Sequence, residues 1–239
     1  MAPAPLKDCM EKVTICTNWD GSDFYPVHYI DRLYRACLRN TSHPFDFVVY
    51  TGPEAQGKIG SSEKAIQFIP VDAPSWWSKC WFWTDPAPGV KTETRLWIDL
   101  DVVVVGKLDT LIDWPSDFCC TRDYASWNAP AGHENDANDG VCLLRGKAGL
   151  WAWEEYVKAG MPKWKPFDRA IDHSPLPLAM MTIINNNPGC CDLWPQDVCA
   201  SYKFTVKKSG IPKDCVTVHF HGQPKQGEAD EVWIREYWK

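Results

Sequence analysis

The chain has 239 residues, 45% of them hydrophobic and 23% charged, a balance that suits a globular protein with one large core and, most simply, one domain. Its formal net charge of -6 argues against a nucleic-acid binder that works through a general basic surface. Anionic ligands are compatible with this balance only where positive charge is gathered locally. No apolar stretch approaches the roughly eighteen residues needed for a transmembrane segment, and "MAPAPLKDCM" lacks the apolar core of a signal peptide. A cytoplasmic protein is therefore expected.

Eleven cysteines are an odd number in a large chain with no CxxC spacing, which favours reduced, mostly buried thiols over a disulfide framework. The fourteen tryptophans are expected mainly in the core. Trp76, Trp77, Trp81 and Trp83 either join that core or wall a cleft for sugar rings.

In chain order, "KVTICTN" (Lys12 to Asn18) is short, apolar and β-branched, as expected of a strand buried on both faces. A turn rich in Asp, Gly and Ser follows. Pro26 then opens a run in which Val27, Ile30, Tyr34, Cys37 and Leu38 recur at helical spacing. "FDFVVYT" and "AIQFIP" read as the next two strands, so the first half alternates as a parallel α/β sheet does. "WWSKCWFW" predicts a helix leading into a strand from Arg95 to Asp101. "FCCTRD" and "GVCLLRG", a helix around "GLWAWEEYVKA", and a last strand from Cys215 to Gly222 complete the pattern. The segment from Tyr124 to Asn138 is polar and long enough for a functional loop. No repeat or low-complexity linker divides the chain.

"LWIDLDVVVV" sets two carboxylates inside an apolar run. Strand alternation would put Asp99 and Asp101 on one face with Trp97, roughly 6 to 7 Å apart along the backbone and within reach of one hard cation. The plainer alternative is that Asp99 caps a turn while Asp101 pairs with Lys107 or Arg95. Position favours the first, because ligands of α/β sheets sit at the carboxyl ends of strands. "HFHGQPKQ" brings His219 and His221 to one strand face, and Gly222 starts a turn that returns Lys225 toward the same edge. Imidazole with carboxylates suits manganese better than calcium, with magnesium as the other choice.

These pieces, in order, resemble the metal-dependent nucleotide-sugar glycosyltransferases of the GT-A fold, in the group of glycogenin and the lipopolysaccharide galactosyltransferases. The matching segments are "TICTNWDGSDFYPVHYIDRLY", "WWSK", "RLWIDLDVVVVGKLDTL", "NDGV", "SYK" and "HFHGQPK", which span most of the chain. The resemblance implies a single Rossmann-like α/β domain over residues 1–239, with a core at about 12–226, a tail at 227–239 and a mostly parallel sheet flanked by helices. It implies Mn2+ or Mg2+ held by Asp99, Asp101 and one histidine, His221 in preference to His219, and a UDP-sugar donor. Thr17, Asn18 and Tyr25 would lie at the base and ribose, Lys79 at the donor, Asn138 near the sugar and Lys225 at the phosphates. Ordinary packing, turn or solvated roles are the alternatives for the two lysines, Tyr25 and Asn138.

The chain departs from the family in two places. An expected Asp-Gln pair is absent, which leaves Asp172 or Asp139 as the carboxylate beside the reacting sugar. The proline expected after Lys225 is Gln226. The acceptor, whether glycan, protein or lipid-linked, is not encoded in any motif. Competing classes are a metal-dependent nucleotidyltransferase or nucleotide-sugar phosphohydrolase, and a non-catalytic sugar-binding module.

Overall fold

The computed structural model describes residues 10–73, 75–123, 136–158 and 177–239. Four parallel strands lead the main sheet: β1 (Val13–Trp19), β2 (Phe45–Thr51), β3 (Ile66–Pro70) and β4 (Thr94–Ile98). Next in the chain come β5 (Val102–Val104), which lies outside this sheet, and β6 (Phe118–Arg122), which rejoins it. With β7 (Ala137–Arg145) and β8 (Asp192–Leu193), the main sheet has the order β3-β2-β1-β4-β7-β6-β8. β7 lies antiparallel between β4 and β6, and β8 runs parallel to β6. The chain thus winds from β1 outward to β3 and then returns to the other side of β1 with β4. That reversal opens a crevice at the carboxyl ends of β1 and β4, the usual place for a ligand in such sheets.

Each face of the sheet is covered. Val13 and Ile15 of β1 are fully buried on the side of helix α1 (His28–Asn40), which contributes Tyr29, Ile30, Leu33, Tyr34, Ala36 and Cys37. These positions follow the helical repeat, whereas Leu38, predicted with them, is exposed. On the opposite face Cys16, Val48, Trp97 and Cys142 pack beneath a 3₁₀ helix, Ser75–Trp83, where an α-helix was predicted. The covering helices are α3 (Leu150–Lys158) and α4 (Pro177–Asn185), with the short α2 (Asp109–Ile112) lying between β5 and β6 in sequence.

A second sheet, not anticipated from the sequence, joins β5, β10 (Thr217–His219) and β9 (Cys199–Ser201) in the order β5-β10-β9. β10 is antiparallel to β5 and parallel to β9. The predicted strand Arg95–Asp101 is therefore two strands. β4 ends at Ile98, Asp99 N–H donates to Gly140 O at 2.9 Å, and Val102 N–H returns to Asp99 O at 3.1 Å. This turn carries Asp101 out of the main sheet and into the second one. Val102, Val103 and Val104 are all fully buried, which explains why an unbroken apolar run spans two sheets. The predicted strand Cys215–Gly222 is likewise shorter, with His219 on it and His221 beyond its end.

The tail returns to the core. A short helical turn, α5 (Lys207–Ser209), precedes β10, and α6 (Val232–Tyr237) buries Ile234. Trp238 is also buried, edge-on to Tyr29 with ring centroids 5.2 Å apart, while Arg32 lies over its ring. Trp83, Trp97 and Trp194 are fully enclosed, as expected for large rings whose burial stabilises a core. Trp83 thus belongs to the core and not to a cleft wall; Trp77 and Trp81 are half-buried at its margin. All ten cysteines among the described residues are free thiols, eight of them buried, and burial pushes Cys16 up to about 12. No helix among the described residues is long and apolar enough to cross a membrane.

Candidate active site

The crevice at the ends of β1 and β4 gathers three carboxylates and two lysines. Asp99 follows β4 directly. Its Oδ1 accepts from Lys79 Nζ at 2.9 Å and from the indole N–H of Trp97 at 2.6 Å. The 3₁₀ helix delivers Lys79, whose ammonium also meets Asp139 Oδ1 at 3.0 Å and the Asp139 carbonyl at 2.8 Å. It lies over the Trp97 ring, 5.0 Å from the centroid. Lys79 is buried, and its pKa is raised because Asp139 and Asp99 outweigh the desolvation that opposes its charge.

Asp101 is held differently. Its Oδ2 accepts from Lys225 Nζ at 2.7 Å and from the Tyr25 hydroxyl at 3.3 Å. Lys225 sits on the loop after β10, donates also to Phe220 O at 3.1 Å, and faces the rings of Tyr25 and Phe24 at 5.2 and 5.4 Å. The Phe220 N–H bonds Asp101 O at 2.8 Å, so the second sheet and the turn are knit together. Burial, with Asp101 and Asp99 nearby, raises the Tyr25 pKa and keeps the phenol protonated as a donor.

Asp99 is raised above the ordinary carboxylate range by burial, with Asp139 and Asp101 adding to the shift and Lys79 opposing it. Three acids against two ammonium groups leave an excess of negative charge, and Asp139 Oδ2 is buried without a hydrogen-bond partner. A hard divalent ion suits this surplus and these oxygen donors in chemistry. Among the described residues no three His, Cys, Asp or Glu side chains already converge on one point. The lysines occupy one oxygen each of Asp99 and Asp101.

The two histidines part company, contrary to the expectation of one shared strand face. His219 is buried on β10, its Nε2 is 3.2 Å from Thr217 Oγ1, and burial pushes its pKa down to about 3 although Asp101 pulls the other way. Gly140 is required beside it, since a Cβ there would lie 2.9 Å from His219 Nδ1. His221 is less enclosed; its Nε2 is 2.7 Å from Ser201 Oγ, and its ring stacks on Phe204. Burial, then the nearby Lys203, lowers its pKa. Both imidazoles feel the charge of Asp101.

At the end of β1, Thr17 is fully buried with an unpartnered hydroxyl, and Asn18 donates to Ser78 Oγ at 3.1 Å. Tyr25 is fixed through its carbonyl, which accepts from the Trp19 indole at 2.7 Å. Asn138, at the start of β7, turns its Oδ1 to the Gly140 N–H at 2.8 Å. Asp139 lies behind Lys79 and is 6% exposed. Asp172 falls outside the described residues. The structure therefore brings together Asp99, Asp101, Asp139, Lys79, Lys225 and Tyr25.

Sequence reasoning passed over Trp97 and Gln226 as parts of the site. The alternation that grouped Trp97 with Asp99 was the available signal for the first. The second contacts a backbone carbonyl distant in sequence and left no local trace.

The fold is the α/β architecture of GT-A nucleotide-sugar glycosyltransferases, and comparison with solved structures agrees. Neither a protein-family model nor a curated protein matches the chain. The galactosyltransferase LgtC, solved with donor and acceptor sugar analogues, superposes with a TM-score of 0.59 at 14% identity, covering 94% of each chain. The glycosyltransferase GlyE of Streptococcus pneumoniae TIGR4 gives 0.59 at 14% identity over 95% of this chain, which spans 60% of GlyE. The bifunctional glycosyltransferase WbbM gives 0.56 at 14% identity over 98% of this chain and 52% of its own.

Proposed function

We propose that the chain is a metal-dependent glycosyltransferase that moves a sugar from a UDP-linked donor to a glycan, protein or lipid-linked acceptor. The observation that carries this reading is the convergence of Asp99, Asp101, Lys79 and Lys225 at the switch point between β1 and β4. A donor diphosphate is the ligand class that needs both fixed cations and a divalent ion there. Asp99 and Asp101 with His221, or His219 in its place, would hold Mn2+ or Mg2+. When bound, the ion would stabilise the charge that builds on the departing nucleoside diphosphate.

The chain's own residues supply the rest. Lys225, on a loop and bound to a single carboxylate, is the cation best placed to turn to the diphosphate. Its ammonium is itself buried, and a fixed charge shielded from water stabilises a transition state most strongly. Lys79 fixes Asp99 and opposes the rise that burial gives its pKa. Tyr25 holds Asp101 from the other side, and Thr17 and Asn18 line the end of β1 where the nucleoside would lie. Asn138 would stand near the sugar. Asp139 and Asp172 are the two candidates for the carboxylate beside the reacting carbon, and residues 12–226 would act as one catalytic unit with the tail packed on it.

Incubation with UDP-, GDP- and CMP-sugars, with manganese and then with chelator, tests the reading. Release of UDP and free or transferred sugar from UDP donors alone, lost on chelation, is expected. Sugar phosphate in place of UDP would instead show diphosphate cleavage by a phosphohydrolase. Saccharide binding indifferent to chelator, with no UDP released from any donor, would show a non-catalytic module.

A further inference from the structure

We propose that Gln226 is a positioning residue of the donor site, tying the Lys225 loop to the turn that carries both aspartates. Gln226 is 1% exposed, and its Nε2 donates to Leu100 O at 2.6 Å. Leu100 is the residue between Asp99 and Asp101, so the bond reaches the turn at its middle.

The loop has internal bonds of its own. Lys225 N–H donates to Glu228 Oε2 at 2.9 Å, and the N–H groups of Glu228 and Ala229 return to Lys225 O at 2.9 and 3.1 Å. These shape the loop but do not fix it to the turn. Two side-chain hydrogen bonds tie the loop to the turn, from Lys225 Nζ to Asp101 and from Gln226 Nε2 to Leu100. On the reading of the site as a diphosphate binder, on which this inference rests, the first tie is exchanged when Lys225 turns to the ligand. The Gln226 tie then holds the ammonium in place.

The energetics point away from a packing role. Gln226 Oε1 is buried without a hydrogen-bond partner. An unsatisfied buried polar group costs about 1–3 kcal/mol, and an apolar side chain at this position would shed that cost only by taking the donor from Leu100 O. What the amide contributes here is its N–H. The proline that the family resemblance leads one to expect has no donor with which to make this bond.

Three variants test the proposal: Gln226→Met, which keeps length and removes the donor; Gln226→Glu, which keeps shape and sets an acceptor against Leu100 O; and Lys225→Ala. In the ligand-free protein, hydrogen exchange at the amides of Glu228 and Ala229 should quicken in Gln226→Met by about tenfold, with the melting temperature within about 4 °C of the parent, as expected when about 1 kcal/mol is at stake. UDP binding with manganese, by titration calorimetry, should weaken about tenfold in Gln226→Met and at least as much in Gln226→Glu. In the double variant Lys225→Ala with Gln226→Met, affinity should fall no further than in Lys225→Ala alone, because Gln226 acts through Lys225. Unchanged exchange and unchanged UDP affinity in Gln226→Met would overturn the positioning role and leave the functional reading standing. Fully additive losses would do the same. Absence of UDP binding by the parent protein would overturn the reading itself, and the inference with it.

Discussion

The two lysines of the crevice look alike in sequence and are held in unlike ways. Lys79 is enclosed by two carboxylates, a carbonyl and the face of Trp97. Lys225, no less buried, has one carboxylate, one carbonyl and the rings of Tyr25 and Phe24, on a loop. The first arrangement neutralises charge that the fold has already buried. The second leaves a cation that an incoming anion can recruit. The difference teaches that a matched lysine motif does not settle a role; the number of acids around the ammonium does.

This comparison is broken most readily at Lys79. Lys79→Met leaves Asp99 and Asp139 in the crevice without their counterion, and breaking such a buried pair costs about 3–5 kcal/mol. The expected fall in melting temperature is roughly 6 to 20 °C. A drop of under about 2 °C would show that Lys79 does not neutralise the pair. Lys225→Ala should cost less stability than Lys79→Met, since it releases one acid and not two, but should weaken UDP binding with manganese roughly 10- to 100-fold, in line with the loss of a charged hydrogen bond. Equal melting losses in the two variants would erase the distinction. The smallest effect is expected from Trp97→Phe, which keeps a ring beneath Lys79 and removes only the indole N–H from Asp99. It should lower the melting temperature by roughly 2 to 6 °C, with a smaller effect on UDP affinity than Lys225→Ala.

The parallel first half of the fold was legible because β1, β2 and β3 are short β-branched runs punctuated by polar turns, and α1 shows its repeat. The break at Asp99 was not legible. Val102, Val103 and Val104 continue the apolar run, and the turn is set by bonds to Gly140 and by β10, both remote in sequence. The same remoteness concealed the second sheet and separated His219 from His221, which alternation had placed together. Asp99, Asp101, Lys79, Lys225 and Tyr25 were legible as a group through the family resemblance. That Asp139 pairs with Lys79 was not, because it depends on the antiparallel seating of β7 against β4.

The central claim is that Asp99 and Asp101 serve a bound donor and not the fold alone, and melting with and without manganese and UDP tests it most directly. At 100 times its dissociation constant a ligand adds about 2.7 kcal/mol, a rise of roughly 5 to 10 °C for a chain of this size. Asp101→Asn should lose most of that rise while melting within a few degrees of the parent in the absence of ligand. An Asp101→Asn variant that melts far lower alone yet shows the full rise with manganese and UDP would contradict the account.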